Sequence, residues 1–163
     1  MSIIPSDMTK PFEAAGWFEG RQIEVGNSVP TNHPAHNLLA EIGELRLVNP
    51  APNIASIAFQ HVAEGASIMA AWEAALGAKL IGIAEVDDGH AELYLSDHGQ
   101  VVGCSLIHPA CFLVGRTVQE ALEAIGSGKR AQPMLLPHEE EITLFGITFR
   151  RGDTDVIGPN ELA

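Results

Sequence analysis

Cysteines and long apolar runs are both scarce in this chain. Among its 163 residues only Cys104 and Cys111 are cysteines. Two are too few for a disulfide framework, and they lack Cys-x-x-Cys spacing, so we expect free, buried thiols. The longest apolar runs fall far short of the ~20 residues that span a bilayer, and the first residues lack the basic-then-apolar order of a signal peptide. We therefore expect a soluble, cytoplasmic protein that does not enter a membrane.

Basic residues are also few. Lysine and arginine number 9 against 21 aspartates and glutamates, which gives a net charge of −12 and a pI near 4.8. This charge repels phosphate backbones and argues against direct binding to nucleic acid. A basic protein partner would instead be attracted and steered toward the chain. A simpler interpretation is that the acidity only keeps the protein soluble, and composition leaves both interpretations open.

The common enzyme signatures are absent. The sequence contains no Gly-x-Ser-x-Gly elbow, no Gly-x-x-x-x-Gly-Lys phosphate loop and no Gly-x-Gly-x-x-Gly after a strand. These motifs respectively expose a nucleophile, cradle phosphates and bind dinucleotides. The sequence therefore shows none of the usual enzyme signatures, although an unfamiliar site stays open, and we expect no cofactor.

Two short motifs nevertheless share letters with the zinc-dependent nucleobase deaminases. His90-Ala91-Glu92 matches the half of that signature in which a metal ligand stands beside a general acid/base, and Pro109-Ala110-Cys111 is close to its Pro-Cys half. Alternating apolar residues predict a strand over 90–96, which would turn His90 and Glu92 toward water. Cys111 has no second cysteine three residues later. We interpret the motif as a coincidence and keep a zinc deaminase as a remote alternative.

Two other pairs of side chains have spacings that chemistry uses. His33 and His36 stand three residues apart near a helix start and could meet one metal ion, but a surface pair is favoured because no acidic or cysteine ligand is near. Cys111 and nearby His108 could form a nucleophile pair, but the apolar neighbours of Cys111 favour packing. We predict no metal site and no catalytic residue.

Hydrophobic periodicity predicts four helices in one domain. The length and the 46% apolar content suffice for an independent core. Apolar residues at i, i+3, i+4 and i+7 mark the helices, with Asn32 or Thr31 capping the second, Gly77 ending the third and a Thr117–Glu120 capping box opening the fourth. Trp72 lies on the apolar stripe of the third. The predicted helices cover residues 11–15, 35–42, about 66–76 and 118–125, with Gly126 past the end of the last.

The strands follow a period of two. Two glycine loops, Asp87-Asp88-Gly89 and Asp97-His98-Gly99, join three of them into a meander. We predict an α+β fold, a single domain over residues 1–163, with a mainly antiparallel twisted sheet and about four helices packed mostly on one face. The predicted strands cover residues 22–25, 44–48, 54–59, 79–86, 90–96 and 100–104. Residues 129–163 form a C-terminal extension that is loop-like at first and has one strand at 142–150.

Five segments in this order resemble the third subgroup of the SUKH superfamily, bacterial immunity proteins related to the yeast Smi and Knr regulators. The likeness covers about residues 12–128. Two positions depart from the subgroup: Gly43-Glu44 replaces two glycines, and Gly82-Ile83-Ala84-Glu85 replaces Pro-x-Gly-Glu. The segments are Ala14 to Arg21 (AAGWFEGR), Leu38 to Val48 (LLAEIGELRLV), Trp72 to Val86 (WEAALGAKLIGIAEV), Gly89 to Val102 (GHAELYLSDHGQVV) and Val114 to Gly128 (VGRTVQEALEAIGSG).

The resemblance implies a non-enzymatic protein that binds and blocks a bacterial polymorphic toxin, a nuclease or a deaminase. Such a toxin is expected to be basic, and a homodimer of the inhibitor is possible. A regulatory module of the same fold, without a toxin partner, is the alternative. Family-like structural positions are Gly16, Trp17, Arg21, Gly43, Gly77 and Gly99. Expected toxin-facing residues are Trp17, Glu44, Glu85, Asp87, Asp88 and Asp97, although the acids could equally be solvated turn residues.

Overall fold

A seven-stranded antiparallel sheet dominates the computed structural model, which describes residues 2–63, 65 and 67–162. Its strands lie side by side in chain order, and a separate two-stranded hairpin follows. This is the α+β meander that the sequence predicts. The sheet contains β1 (Arg46–Ala51), β2 (Ile54–Val62), β3 (Leu80–Val86), β4 (Ala91–Ser96), β5 (Val101–Ser105), β6 (Ala110–Gly115) and β7 (Gln132–Met134), and the hairpin contains β8 (Glu141–Leu144) and β9 (Ile147–Arg150).

The helices in the described residues are α1 (Thr9–Ala14), α2 (Pro34–Ile42), α3 (Met69–Leu76) and α4 (Val118–Ser127), with a 3-10 turn at Pro159–Glu161. Three of the four pack on one face of the sheet. Phe12 of α1, Leu38 of α2 and Leu122 of α4 belong to one buried cluster with residues of β1 to β5. On the opposite face, Trp72 of α3 packs in a cluster that includes the C-terminal Leu162. The predicted arrangement of helices is confirmed.

The exposure predicted for β4 is wrong. All six residues of β4 are buried. Leu93 and Leu95 belong to the cluster that α1, α2 and α4 cover, whereas Tyr94 belongs to the cluster of α3 and the C-terminal segment. Glu92 is only 7% exposed. The predicted water-facing side of this strand is covered by residues far away in the chain, which the strand's own alternation cannot reveal.

The helix ends differ in part from their predicted caps. Neither Asn32 nor Thr31 caps α2: the N-cap is His33, whose ring Nδ1 accepts a hydrogen bond from the backbone N–H of Ala35 at 3.1 Å. His33 is therefore buried, not part of a surface pair. The Thr117 hydroxyl does cap α4 by accepting from the Glu120 N–H.

Two of the predicted glycine stops can be compared with the structure. α3 ends at Gly77 in the left-handed conformation, as predicted, but α4 continues through Gly126 and ends at Gly128. Ala66, the expected start of α3, lies outside the described residues, and the described helix begins at Met69.

Several strand predictions need correction. Residues 22–25 have no strand structure. Residues 110–115, which were not predicted to be a strand, form β6, and the supposed loop at 129–141 contains β7. The single strand expected at 142–150 is a hairpin, because the chain turns at Phe145 and Gly146, which both have positive φ.

Candidate functional site

Arg21 ties an N-terminal loop to the end of α2. The Arg21 side chain is buried, and its guanidinium donates to the carbonyl oxygens of Glu41 at 2.6 Å and Gly43 at 2.9 Å. Its backbone N–H donates to the carbonyl of Phe18. The last carbonyls of a helix have no partner within the helix and carry partial negative charge, so a cation there satisfies both needs. Arg21 thus fixes the loop of residues 16–21 against α2.

Glycine is required where this loop meets the helix end. A Cβ atom on Gly43 would overlap the carbonyl oxygen of Leu39, which is backbone and has no room to move. The Gly43 N–H donates to the same carbonyl at 2.8 Å. The other family-like glycines, Gly16, Gly77 and Gly99, all have positive φ.

An exposed aromatic ring and two exposed acids adjoin, in the sequence, the residues that Arg21 contacts. Phe18, whose carbonyl accepts from the Arg21 N–H, is 62% exposed and is followed by the exposed Glu19. The exposed Glu44 follows Gly43 and holds a left-handed backbone conformation two residues before β1. We call Phe18, Glu19 and Glu44 the Phe18 patch. Phe18 and Glu19 were not among the predicted partner-binding residues; the sequence shows only that they lie between Gly16 and Gly20.

Trp17 lies beneath this patch. It is 9% exposed and belongs to the buried cluster under α1 and α2. Its indole N–H has no hydrogen-bond partner among the described residues. In this conformation Phe18, not Trp17, offers aromatic surface to a partner.

The structure does not bring the remaining predicted acids together. Val86 pairs with Ala91 at one end of β4, and Leu80 pairs with Ser96 at the other. Asp87 and Asp88 therefore lie at one end of this strand and Asp97 at the opposite end, about 20 Å away at the usual rise per residue. They cannot form one compact contact surface.

The carboxylates in these turns have structural partners. Asp87 Oδ1 accepts from the backbone N–H groups of Ala55 at 2.7 Å and Ser56 at 3.0 Å. Asp88 Oδ1 pairs with Arg46 Nη2 at 2.8 Å. Each carboxylate thus links the β3–β4 turn to β1 or β2.

Asp97 has a similar role at the other end of the sheet. Its Oδ1 accepts from the backbone N–H of Lys79 at 3.3 Å and lies 3.8 Å from His98 Nε2. This acid joins the β4–β5 turn to the residue before β3.

Glu85 and Glu92 stand directly opposite each other on β3 and β4. Glu85 is half-buried, and the buried Glu92 accepts a hydrogen bond from the Tyr94 hydroxyl. Opposed like charges destabilise a strand pair, so this tyrosine contact offsets part of that cost. Of the two, only Glu85 retains surface that a partner could reach.

The residues that match the zinc-deaminase motif do not have the geometry of a zinc site. His90 is exposed in the β3–β4 turn and lines a groove on the Leu93 face of the sheet, whereas Glu92 lies on the Tyr94 face. Among residues 2–63, 65 and 67–162, no group of three or more His, Cys, Asp or Glu side chains could hold a metal ion. His90 and Glu92 are close in the sequence, but their side chains do not meet around one ion.

The two cysteines are free and buried, as predicted. Cys104 on β5 pairs directly with Cys111 on β6. Its hydrogen bond to Cys104, followed by burial, raises the pKa of the Cys111 thiol well above the usual value. A thiol with a raised pKa is a poor nucleophile. His108 is exposed and lines the groove on the other face, so it does not activate Cys111.

Comparison with known protein families gives a match over most of the chain. A family model described as SUKH-3 immunity protein matches residues 4–128, which extend from the segment before α1 to the end of α4. Searches of curated proteins and of solved structures gave no match. In the part of the chain that the structure describes, no helix is long and apolar enough to cross a membrane.

Proposed function

Because the chain belongs to the SUKH-3 immunity protein family, we propose that it binds and neutralises a cognate bacterial toxin by forming a stoichiometric complex. The toxin belongs to a polymorphic toxin system and is a nuclease or a deaminase. The inhibitor acts in the cytoplasm of the producing cell, without chemistry of its own. The observation that carries this proposal is the family match over residues 4–128.

The charge of the chain supports a basic toxin. The net charge is −12 at pH 7. A toxin that acts on nucleic acid needs cationic surface to approach phosphates. An acidic inhibitor attracts that same surface, which accelerates encounter and selects against acidic cytosolic proteins.

The Phe18 patch is the toxin-facing surface that we favour. It combines an exposed aromatic ring with carboxylates, and interfaces are enriched in aromatic residues, Phe among them, and have a polar rim. Arg21 and Gly43 hold it rigidly against α2, which lowers the entropy cost of binding. Trp17 contributes by supporting the loop from beneath.

The acids elsewhere on the sheet have a secondary role in this proposal. Asp88 and Asp97 remain partly exposed despite their contacts, and together with Asp87 and Glu85 they add to the acidic field. Because they lie at two ends of β4, they steer the toxin over a distance instead of contacting it jointly.

Co-expression with the product of the neighbouring gene, as the candidate toxin, tests the function. We expect the wild-type chain to restore growth of cells that make the toxin. The double variant Glu19→Lys/Glu44→Lys should lose protection and weaken toxin binding by about a hundredfold, since close interfacial charge pairs are worth several kcal/mol. Isothermal titration with the purified toxin measures the affinity.

A matched control separates local contact from total charge. Glu123→Lys/Asp155→Lys makes the same charge change at exposed positions on α4 and in the C-terminal segment. It should slow association modestly and retain protection. If both double variants bind equally well, the Phe18 patch is not the interface. If the wild-type chain fails to protect against the neighbouring toxin, the regulatory alternative replaces the proposed function.

A further inference from the structure

A large apolar groove lies on the Leu93 face of the sheet, beside the β3–β4 turn. It has a volume of about 600 Å³ and is lined by the C-terminal end of α4, the β3–β4 turn and the β8–β9 turn. Buried side chains of Ile57, Leu93 and Phe112 line its interior. Ile107 and Phe145 line its rim, and each is 61% exposed. Pockets that bind small molecules have this size and this mostly apolar lining.

We call this groove the α4 groove, and two adjacent cations that line it form no ion pair among the described residues. Lys129 and Arg130 both line it, and neither forms an ion pair within the described ranges of the chain. Arg130 only lies over the Phe149 ring, 5.9 Å from its centroid. By contrast, six basic residues elsewhere have partners, whereas Lys10 on α1 has none among the described residues. Arg46, Lys79, Arg150 and Arg151 contact carboxylates, and Arg21 and Arg116 donate to backbone carbonyls.

The charge at the α4 groove is therefore opposite to that of the whole molecule. Asp87 is the one acidic residue that lines the groove among the described residues, and its Oδ1 is already occupied by the Ala55 and Ser56 amides. In a chain with a net charge of −12, unpaired cations beside an apolar groove call for an anionic occupant.

The C-terminal extension completes the groove. The family match ends at residue 128, whereas Lys129, Arg130 and Ala131 follow it directly, and Phe145 and Gly146 come from the β8–β9 turn. The groove is therefore a property of this chain beyond its family core. Its occupant need not be the toxin.

We propose that the α4 groove binds a small amphipathic anion, a molecule with an apolar chain or ring body and one carboxylate. The apolar body packs on Ile57, Leu93 and Phe112, and the carboxylate pairs with Lys129 and Arg130 at the rim. The planar guanidinium suits a carboxylate, which accepts two parallel hydrogen bonds from it. The negative charge of the whole chain opposes docking on an anionic membrane, so the ligand is a free molecule.

Titration with dodecanoate, kept below its micelle concentration, tests this site. We expect saturable binding of one dodecanoate per chain in calorimetry, and no comparable binding of dodecyltrimethylammonium, which has the same tail and a positive head. Lys129→Gln/Arg130→Gln should weaken dodecanoate binding by about tenfold or more, because each charge-assisted hydrogen bond is worth more than a neutral one. Lys10→Gln, which removes one charge at an exposed lysine on α1, is the control for charge loss away from the groove and should change nothing.

A second variant tests the apolar part of the groove. Ala131→Trp places a large side chain among the lining residues and should abolish binding, with thermal unfolding used to verify that the variant folds. Absence of saturable binding, equal binding of the cationic probe, or unchanged affinity in Lys129→Gln/Arg130→Gln would each overturn the proposal. Phe145→Ser distinguishes other occupants. If it dissociates a dimer or reduces toxin affinity while dodecanoate does not bind, the groove contacts a protein instead.

Discussion

Just before β1, the Phe18 patch combines carboxylates with an exposed aromatic ring, whereas the α4 groove, at the C-terminal end of α4, has cations beside apolar walls. In the patch, the nearby Arg21 side chain donates its hydrogen bonds to backbone carbonyls, so Glu19 and Glu44 stay available to a partner. In the groove, the Asp87 carboxylate accepts hydrogen bonds from backbone amides, so Lys129 and Arg130 stay available. What a charged residue offers to a partner depends on which backbone groups it already satisfies.

The largest expected difference in stability between the Phe18 patch and the α4 groove concerns a glycine in each region. Gly43→Ala should lower the free energy of unfolding by about 3 kcal/mol, because the new methyl group overlaps a backbone carbonyl. Gly128→Ala at the groove should cost about 1 kcal/mol, since only its left-handed conformation is strained. Urea unfolding of both variants measures the two losses. Equal losses would contradict the close approach of Gly43 to the Leu39 carbonyl.

Removing one cation from the Phe18 region and one from the α4 groove should have smaller, but still unequal, effects on stability. Arg21→Met leaves two carbonyls at the end of α2 without their donor and should cost about 2 kcal/mol. Arg130→Met breaks no ion pair and should change stability by less than about 0.5 kcal/mol. Thermal melts compare the two variants. A melting temperature for Arg21→Met as high as that of Arg130→Met would show that the Arg21 contact does not hold the loop.

The smallest expected difference in stability is between two aspartates of the β3–β4 turn, Asp87 and Asp88. Asp87→Ala removes the acceptor of two backbone N–H groups and should cost about 1 kcal/mol. Asp88→Ala removes the ion pair with Arg46. Because the Asp88 side chain is 77% exposed, this loss should cost only about 0.3 kcal/mol. Chemical denaturation resolves the two values. The reverse order would mean that the Arg46 pair, not the amide contacts, secures this turn.

Features fixed by neighbouring residues were accessible from the sequence. The Thr117 cap of α4, the left-handed Gly77 after α3 and the glycine turns of the meander all depend on contacts within a few residues. His33 was missed because histidine is not among the side chains that commonly cap helices. The β8–β9 turn was missed because Phe145 holds a positive φ that usually requires Asn, Asp or Gly.

Features that depend on distant contacts were not accessible. Glu92 seemed solvent-facing from its alternation, but α3 and Leu162, from a later part of the chain, cover that side of β4. The acids of the turns were predicted to face a partner. Their bonds to Ala55, Arg46 and Lys79 could not be seen before the strands were placed side by side. The Phe18 patch likewise depends on Arg21 reaching the end of α2.

The order of the strands in the sheet repeats their order in the chain. Each new strand pairs with the one made just before it, so the sheet can grow one strand at a time as the polypeptide leaves the ribosome. Contacts between near neighbours in sequence close short loops and favour rapid folding. We expect the region around Phe18 to be assembled first and the extension with its cationic rim last.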